Sequence, residues 1–116
     1  MIYAVMLFLV LLISTAAQAA SAVLTWTDNS TNEQGFDIER KAEACAGTAL
    51  AFSKIGAVAV NVKTYTDTTV SEGASYCYRV DAFNGPVKSG YSNTAGLTIP
   101  FEIPAGPSGL GVVAGP

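Results

Sequence analysis

Hydrophobic residues recur at every second position in several short stretches of the chain. In residues 76–82, Tyr76, Tyr78, Val80 and Ala82 fall on one face and Cys77, Arg79 and Asp81 on the other, because successive strand residues point to opposite sides of a sheet. The same rhythm groups Ala22, Leu24 and Trp26, then Phe36 and Ile38, then Ala95, Leu97 and Ile99. Each stretch reads as a strand with one buried face. Leu24, Trp26, Phe36, Ile38, Tyr76, Tyr78 and Val80 are the expected core. Strands of this kind bury that face only against a second sheet, so the pattern predicts an all-β, two-sheet sandwich.

Turn-forming runs separate the strands at short intervals. Asp28, Asn29, Ser30, Thr31 and Asn32 carry side chains that bond their own backbone, and Gly35 permits the turn into a strand over residues 36–41. Further strands are expected over 52–60, 63–69 and 91–99, with turns at Ser71-Glu72-Gly73 and Asn84-Gly85-Pro86 and a loop over 42–50. The acids Asp28, Glu33, Asp37, Glu39, Asp67, Glu72 and Asp81 are expected on loops or outward faces, as solvated charge. The pattern contains no amphipathic helix of useful length and no internal repeat.

Composition adds a leader and removes several function classes. With 116 residues there is room for one domain, and much of the hydrophobic excess lies in the first twenty positions. Residues 1–20 carry no charge, and the apolar run 2–13 is followed by the small residues Ser14-Thr15-Ala16-Ala17-Gln18-Ala19-Ala20. This reads as a secretory signal cleaved near Ala19 or Ala20, and the expected location is extracellular or at the cell surface. No Lys or Arg opens the segment, so an upstream start site or a retained membrane helix is the competing reading. The net charge is −3 and the six Lys and Arg are scattered, which argues against nucleic acid as a partner. Without a histidine or a base beside a nucleophile, no enzyme and no cofactor are expected. Asp28, Asn29 and Asn32 lack the ligand spacing of a calcium loop, so no metal site is expected either.

Five motifs carry a family resemblance. Residues 24–30 (LTWTDNS), 35–40 (GFDIER), 65–67 (YTD), 76–84 (YCYRVDAFN) and 89–93 (SGYSN) resemble strands B, C, E, F and G of a bacterial extracellular fibronectin type III domain. The resemblance covers about residues 22–99. It implies a Greek-key sandwich with Trp26 central in the core and Tyr76 in the tyrosine-corner position. Cys45 and Cys77, an even count in a chain expected to be exported, then read as one disulfide between the loop after strand C and the outer face of strand F. A redox pair or a metal site is the competing reading, and it lacks a histidine, a close cysteine spacing and a third ligand.

The resemblance also implies something missing. The leader ends almost on strand B, leaving no room for strand A, whereas residues 107–114, after a linker over 101–106, are similar to that opening strand. The expected division is therefore a leader over 1–20, a sandwich lacking strand A over 21–100, and a linker with a donor strand over 101–116. Pro107, Leu110, Val112 and Ala114 are the candidate subunit contacts, with Leu110 and Val112 on one face. The expected partner is a second copy, in a head-to-tail filament or pilus. The alternative is a secreted binding, adhesion or spacer module, including a piece of a tandem-domain protein, whose partners are other cell-surface proteins or polysaccharide. A third reading is a membrane-tethered monomer in which residues 17–21 supply a stub of strand A.

Overall fold

Alternating segments separated by turn residues fold into seven antiparallel strands and, among the described residues, no helix. The computed structural model describes residues 19–116. Nearly all of the expected leader therefore lies outside the described residues. The strands are β1 (Ala22–Thr25), β2 (Gly35–Lys41), β3 (Ser53–Ala59), β4 (Thr64–Asp67), β5 (Ser75–Asn84), β6 (Val87–Lys88) and β7 (Ala95–Thr98). One sheet holds β1 and β4 alone; the other runs β3, β2, β5, with β6 and β7 side by side along the far edge of β5.

Cross-strand registers bring the predicted apolar faces together. Phe36 lies opposite Ala82, Ile38 opposite Val80 and Arg40 opposite Tyr78, so their side chains share the face turned toward β1 and β4. Ile38, Tyr76, Tyr78, Phe36 and Val80 are buried there, with Ala22, Val70 and Ile99, while Leu24 and Trp26 pack against the cluster half-buried. The Tyr76 hydroxyl accepts the Ser71 amide at 2.9 Å, fastening the turn before β5 to the core. At the same pole, the Gly73 amide donates to the Ile99 carbonyl and the Ile99 amide to the Ala74 carbonyl, which anchors the end of β7. Gly73 has φ +75°, a conformation that glycine adopts without a side-chain clash.

The last strand is shorter than the pattern predicts. Instead of one strand over 91–99, β5 meets β6 after the Asn84-Gly85 turn and β7 from Ala95 onward. Between them, the Val80 and Ala82 amides donate to the Ser92 and Ser89 hydroxyls at 2.9 and 2.8 Å. Side-chain oxygens there take the place of a neighbouring strand's carbonyls, so the ladder on β5 stays satisfied without a regular partner.

The acids depart further from expectation. Glu33, Asp37, Glu39, Asp67 and Asp81 are all buried. On the outer face of the larger sheet, Asp37 lies opposite Asp81 and Glu39 opposite Arg79. Lys54 and Lys88 each reach Asp37 at 2.9 Å. The Arg79 guanidinium bonds Glu39 and lies between the Phe52 and Tyr91 rings, 4.1 and 3.6 Å from their centres. The carboxylates are covered by the long side chains of their partners rather than solvated, while Lys54 and Lys88 keep about half of their own side chains in water. Asp28, by contrast, accepts the Ser30 amide within its own turn.

Candidate functional site: an open seam between the sheets

The two sheets meet closely on one side and stand apart on the other. Among the described residues, the β1 strand has a neighbour only on its β4 side. The Trp26 amide donates to the Lys63 carbonyl, and the Leu24 carbonyl accepts the Thr64 hydroxyl. Residues 22, 24 and 26 thus turn their backbone groups toward β4, and by alternation Val23 and Thr25 turn theirs toward the free edge. Two amides and two carbonyls stand in a row there with no strand beside them among the described residues, an arrangement that invites pairing with another chain.

Across the gap stands the inner face of β7. Leu97 lies opposite Tyr76 and Ala95 opposite Tyr78, so both point inward. Tyr76 is 5% exposed but Leu97 is 44% exposed. The alternation of Ala95, Leu97 and Ile99 predicts one buried face; of the three, only Ile99 is buried. Between Leu97 and the β1 edge lies a cavity of about 760 Å³, floored by Tyr78 and Val80. Trp26 borders it and also a second cavity of about 480 Å³ at the pole of the β1–β2 loop. The resemblance puts Trp26 at the centre of the core; the structure puts it at the rim. Its ring packs on Phe36 at 5.6 Å, and its indole N–H is buried with no acceptor.

The tail that carries the other candidate residues lies apart from this seam. Phe101 rests on Gly73, where any Cβ would overlap its ring, and Leu110, Val112 and Val113 are each more than 90% exposed. Pro107, Leu110, Val112 and Ala114 form no strand. Gly109, at φ +68°, bends the chain just before Leu110. The residues expected to form a donor strand thus lie in an exposed tail, while Val23, Leu97 and the backbone of Thr25, which the sequence pattern does not place at an open edge, line the seam. Val23, 67% exposed on a strand, is the one whose apolar character next to Leu24 could have signalled an uncovered edge.

Polar groups set the rigidity of the seam's walls. Between the sheets Asp67 accepts from Thr69, Arg40 and Tyr78. Burial alone would raise its pKa; the Thr69 hydroxyl and amide, then Arg40 and Tyr78, outweigh burial and hold it down to about 2. Burial, and then the bond to Asp67, pushes the Tyr78 hydroxyl well above its ordinary value. On the outer face burial raises Asp81, with Lys88 only partly opposing, and the Asp37 and Glu39 charges add to the rise. Asp37 differs: its bonds to Lys88 and Lys54 overcome burial and lower it.

A test follows from that contrast. Burial and the neighbouring Asp37 and Glu39 charges disfavour the Asp81 carboxylate, and an amide there can donate to Asp37 across the strand pair. Asp81→Asn is expected to stabilise by about 1 kcal/mol, seen as a rise of several degrees in the thermal midpoint. Asp37→Asn, which loses two lysine contacts, is expected to lower the midpoint. The opposite order would refute this account of the charged face.

Solved structures share this architecture. A Fn3-like protein from Clostridium thermocellum is similar over 72% of this chain and 80% of its own, with 26% identity and a TM-score of 0.55. The fibronectin type III domain of human fibronectin type III domain containing protein 3 matches over 75% of this chain and 80% of its own, at 21% identity and TM-score 0.56. The fold is that of a fibronectin type III domain. The kinase region of C. elegans twitchin also matches, at 18% identity and TM-score 0.58, and there the chain spans 15% of the longer protein's length. No family profile and no curated protein sequence matches the chain. Fibronectin type III domains are in general non-catalytic. In this one the smaller sheet, among the described residues, holds β1 and β4 alone.

Proposed function

We propose that the chain is an exported structural subunit that polymerises head to tail, each copy lending residues 107–114 to the open seam of the next. The observation that carries this reading is Leu97: an inward-facing leucine, 44% exposed, opposite an unpaired strand edge. A wet apolar wall and a row of free backbone groups are costly together, and one extended strand with apolar residues on one face relieves both. Residues 110–114 offer such a strand, bare of other contacts. The apolar leader and the Cys45–Cys77 disulfide support export, since disulfides persist in oxidising compartments. A contact between unlike surfaces that does not close on itself grows into a filament.

A second reading, a secreted binding, adhesion or spacer module, is favoured by the twitchin match, where the domain is one part of a long chain. Light scattering on residues 21–116 separates the two. Under the first, mass grows with concentration, and Trp26, the single tryptophan, emits at shorter wavelength as the seam fills. The double variant Leu110→Asp/Val112→Asp is expected to stay monomeric. If both proteins are monomers of equal stability at high concentration, strand donation is wrong and the spacer reading stands.

A further inference from the structure

On the strand-donation reading, we infer that the seam accepts its donor from a second copy in one direction and register. The tail enters at the Trp26 pole, runs antiparallel to β1, and sets Leu110, Gly111, Val112, Val113 and Ala114 opposite Trp26, Thr25, Leu24, Val23 and Ala22.

Direction comes from the antiparallel pairing that every strand pair of this fold uses, and from where the tail starts. The Ala22 end of β1 pairs with Asp67, and the chain from there reaches the Gly73 turn, beside which β7 also ends. The tail therefore leaves its own domain at the Ala22 pole, held there by Phe101 against Gly73. To lie antiparallel to its own β1 it would first have to travel the seam's full length outside it. The linker over residues 101–106 spans at most about 20 Å. In a neighbour stacked end to end, the same tail meets the Trp26 pole first and runs in directly.

Register comes from the alternation of both edges. Val23 and Thr25 present their backbone to the seam and their side chains to solvent, so the residues that face them must also point outward. Leu110 and Val112 must point inward, toward Leu97 and the cavity floor. Shifts of two residues all satisfy this, and two of these pairings set Val23 against a residue within 110–114. In the first, Val113 faces Val23 and Ala114 faces Ala22. In the second, Gly111 faces Val23 and Val112 faces Ala22. Val23 is 67% exposed and Val113 is 91% exposed, and only the first covers them with each other, as a β-branched cross-strand pair. Ala22 is already 3% exposed, so the methyl of Ala114 suits the space beside it better than an isopropyl group.

Size comes from the cavity. Its 760 Å³ runs along β1 from Ala22 to beyond Trp26, room for two inward side chains and the backbone between them. Gly111 lies between those side chains, on the outward side opposite Thr25, so nothing bulky is needed there. The unpartnered Trp26 indole N–H stands at the end where the strand enters.

Cysteine cross-linking on residues 21–116 tests this. Facing residues in an antiparallel pair lie within disulfide range, and the wild type, whose two cysteines are already joined, supplies the background. Under mild oxidation Val23→Cys/Val113→Cys is expected to give a ladder of covalent oligomers, at least tenfold above Val23→Cys/Gly111→Cys. A ladder from the Gly111 variant instead overturns the register and keeps strand donation. A fast-migrating cross-linked monomer overturns the second copy as donor. Assemblies by light scattering without a ladder from either variant overturn the register and direction. Absence of assemblies in the wild type sinks the underlying reading itself.

Discussion

Asp67→Ala is expected to cost about 3 to 5 kcal/mol, the penalty for removing one partner of a buried charged pair. Asp67 is 2% exposed and takes four hydrogen bonds, from the Thr69 amide and hydroxyl, Arg40 and Tyr78. Without it the Arg40 guanidinium, drawn over the Tyr76 ring at 4.8 Å, loses its carboxylate and keeps only the Thr69 hydroxyl, and the buried Tyr78 hydroxyl loses its acceptor. A domain of this size is stable by only about 5 to 15 kcal/mol, and this one leaves a seam uncovered. The variant should therefore unfold at much lower urea, with an unchanged slope. The carboxylate also predicts a pH dependence. Its pKa is about 2 in the folded protein against an ordinary 3.8, so its contribution is complete above pH 3.8. That contribution, about 2 kcal/mol, is lost as pH falls through 2. Asp67→Asn keeps the shape and should lack this component. An equal acid sensitivity in wild type and Asp67→Asn would show that the lock is not electrostatic.

Sequence periodicity reveals which way a residue points, and not what lies in front of it. Tyr76, Tyr78 and Val80 alternate cleanly and are buried because β1 and β4 lie over them. Leu97 alternates as cleanly and stays wet because no strand reaches that far. The sandwich and its core were therefore legible. The open seam was not, since it follows from the arrangement of two sheets. Asp67 was equally hidden. Its neighbours Thr66 and Thr68 suggest a polar strand end, and its burial depends on Arg40 and Tyr78 arriving from two other strands. Asp37 and Asp81 sit at outward positions as the alternation says, but Lys54 and Lys88 fold across them. Ser89 and Ser92 looked like the start of a strand and serve instead as side-chain substitutes for one.

Removing the disulfide, by Cys45→Ala/Cys77→Ala or by reductant, is expected to cost about 3 kcal/mol. The bridge spans 32 residues, for which loop entropy alone predicts about 3 to 4 kcal/mol. The lower figure is expected because the loop has other holds: Lys41 donates to the Cys45 and Gly47 carbonyls and pairs with Glu43 at 3.2 Å. The consequence reaches the seam. Cys77 lies opposite Gly96 on β7, and a Cβ on Gly96 would stand 3.2 Å from the Cys45 sulfur. The bridge thus backs the outer face of the strand whose inner face carries Leu97. Loosening it frees one wall of the groove that is proposed to grip the incoming strand, so assembly should weaken along with stability. Urea midpoints with and without reductant measure the first effect, and light scattering at matched concentration the second. Equal midpoints would show that Lys41 alone holds the loop. A lowered midpoint with undiminished assembly would show that β7 keeps its place without the bridge, and that the seam draws its rigidity from the Asp67 lock inside.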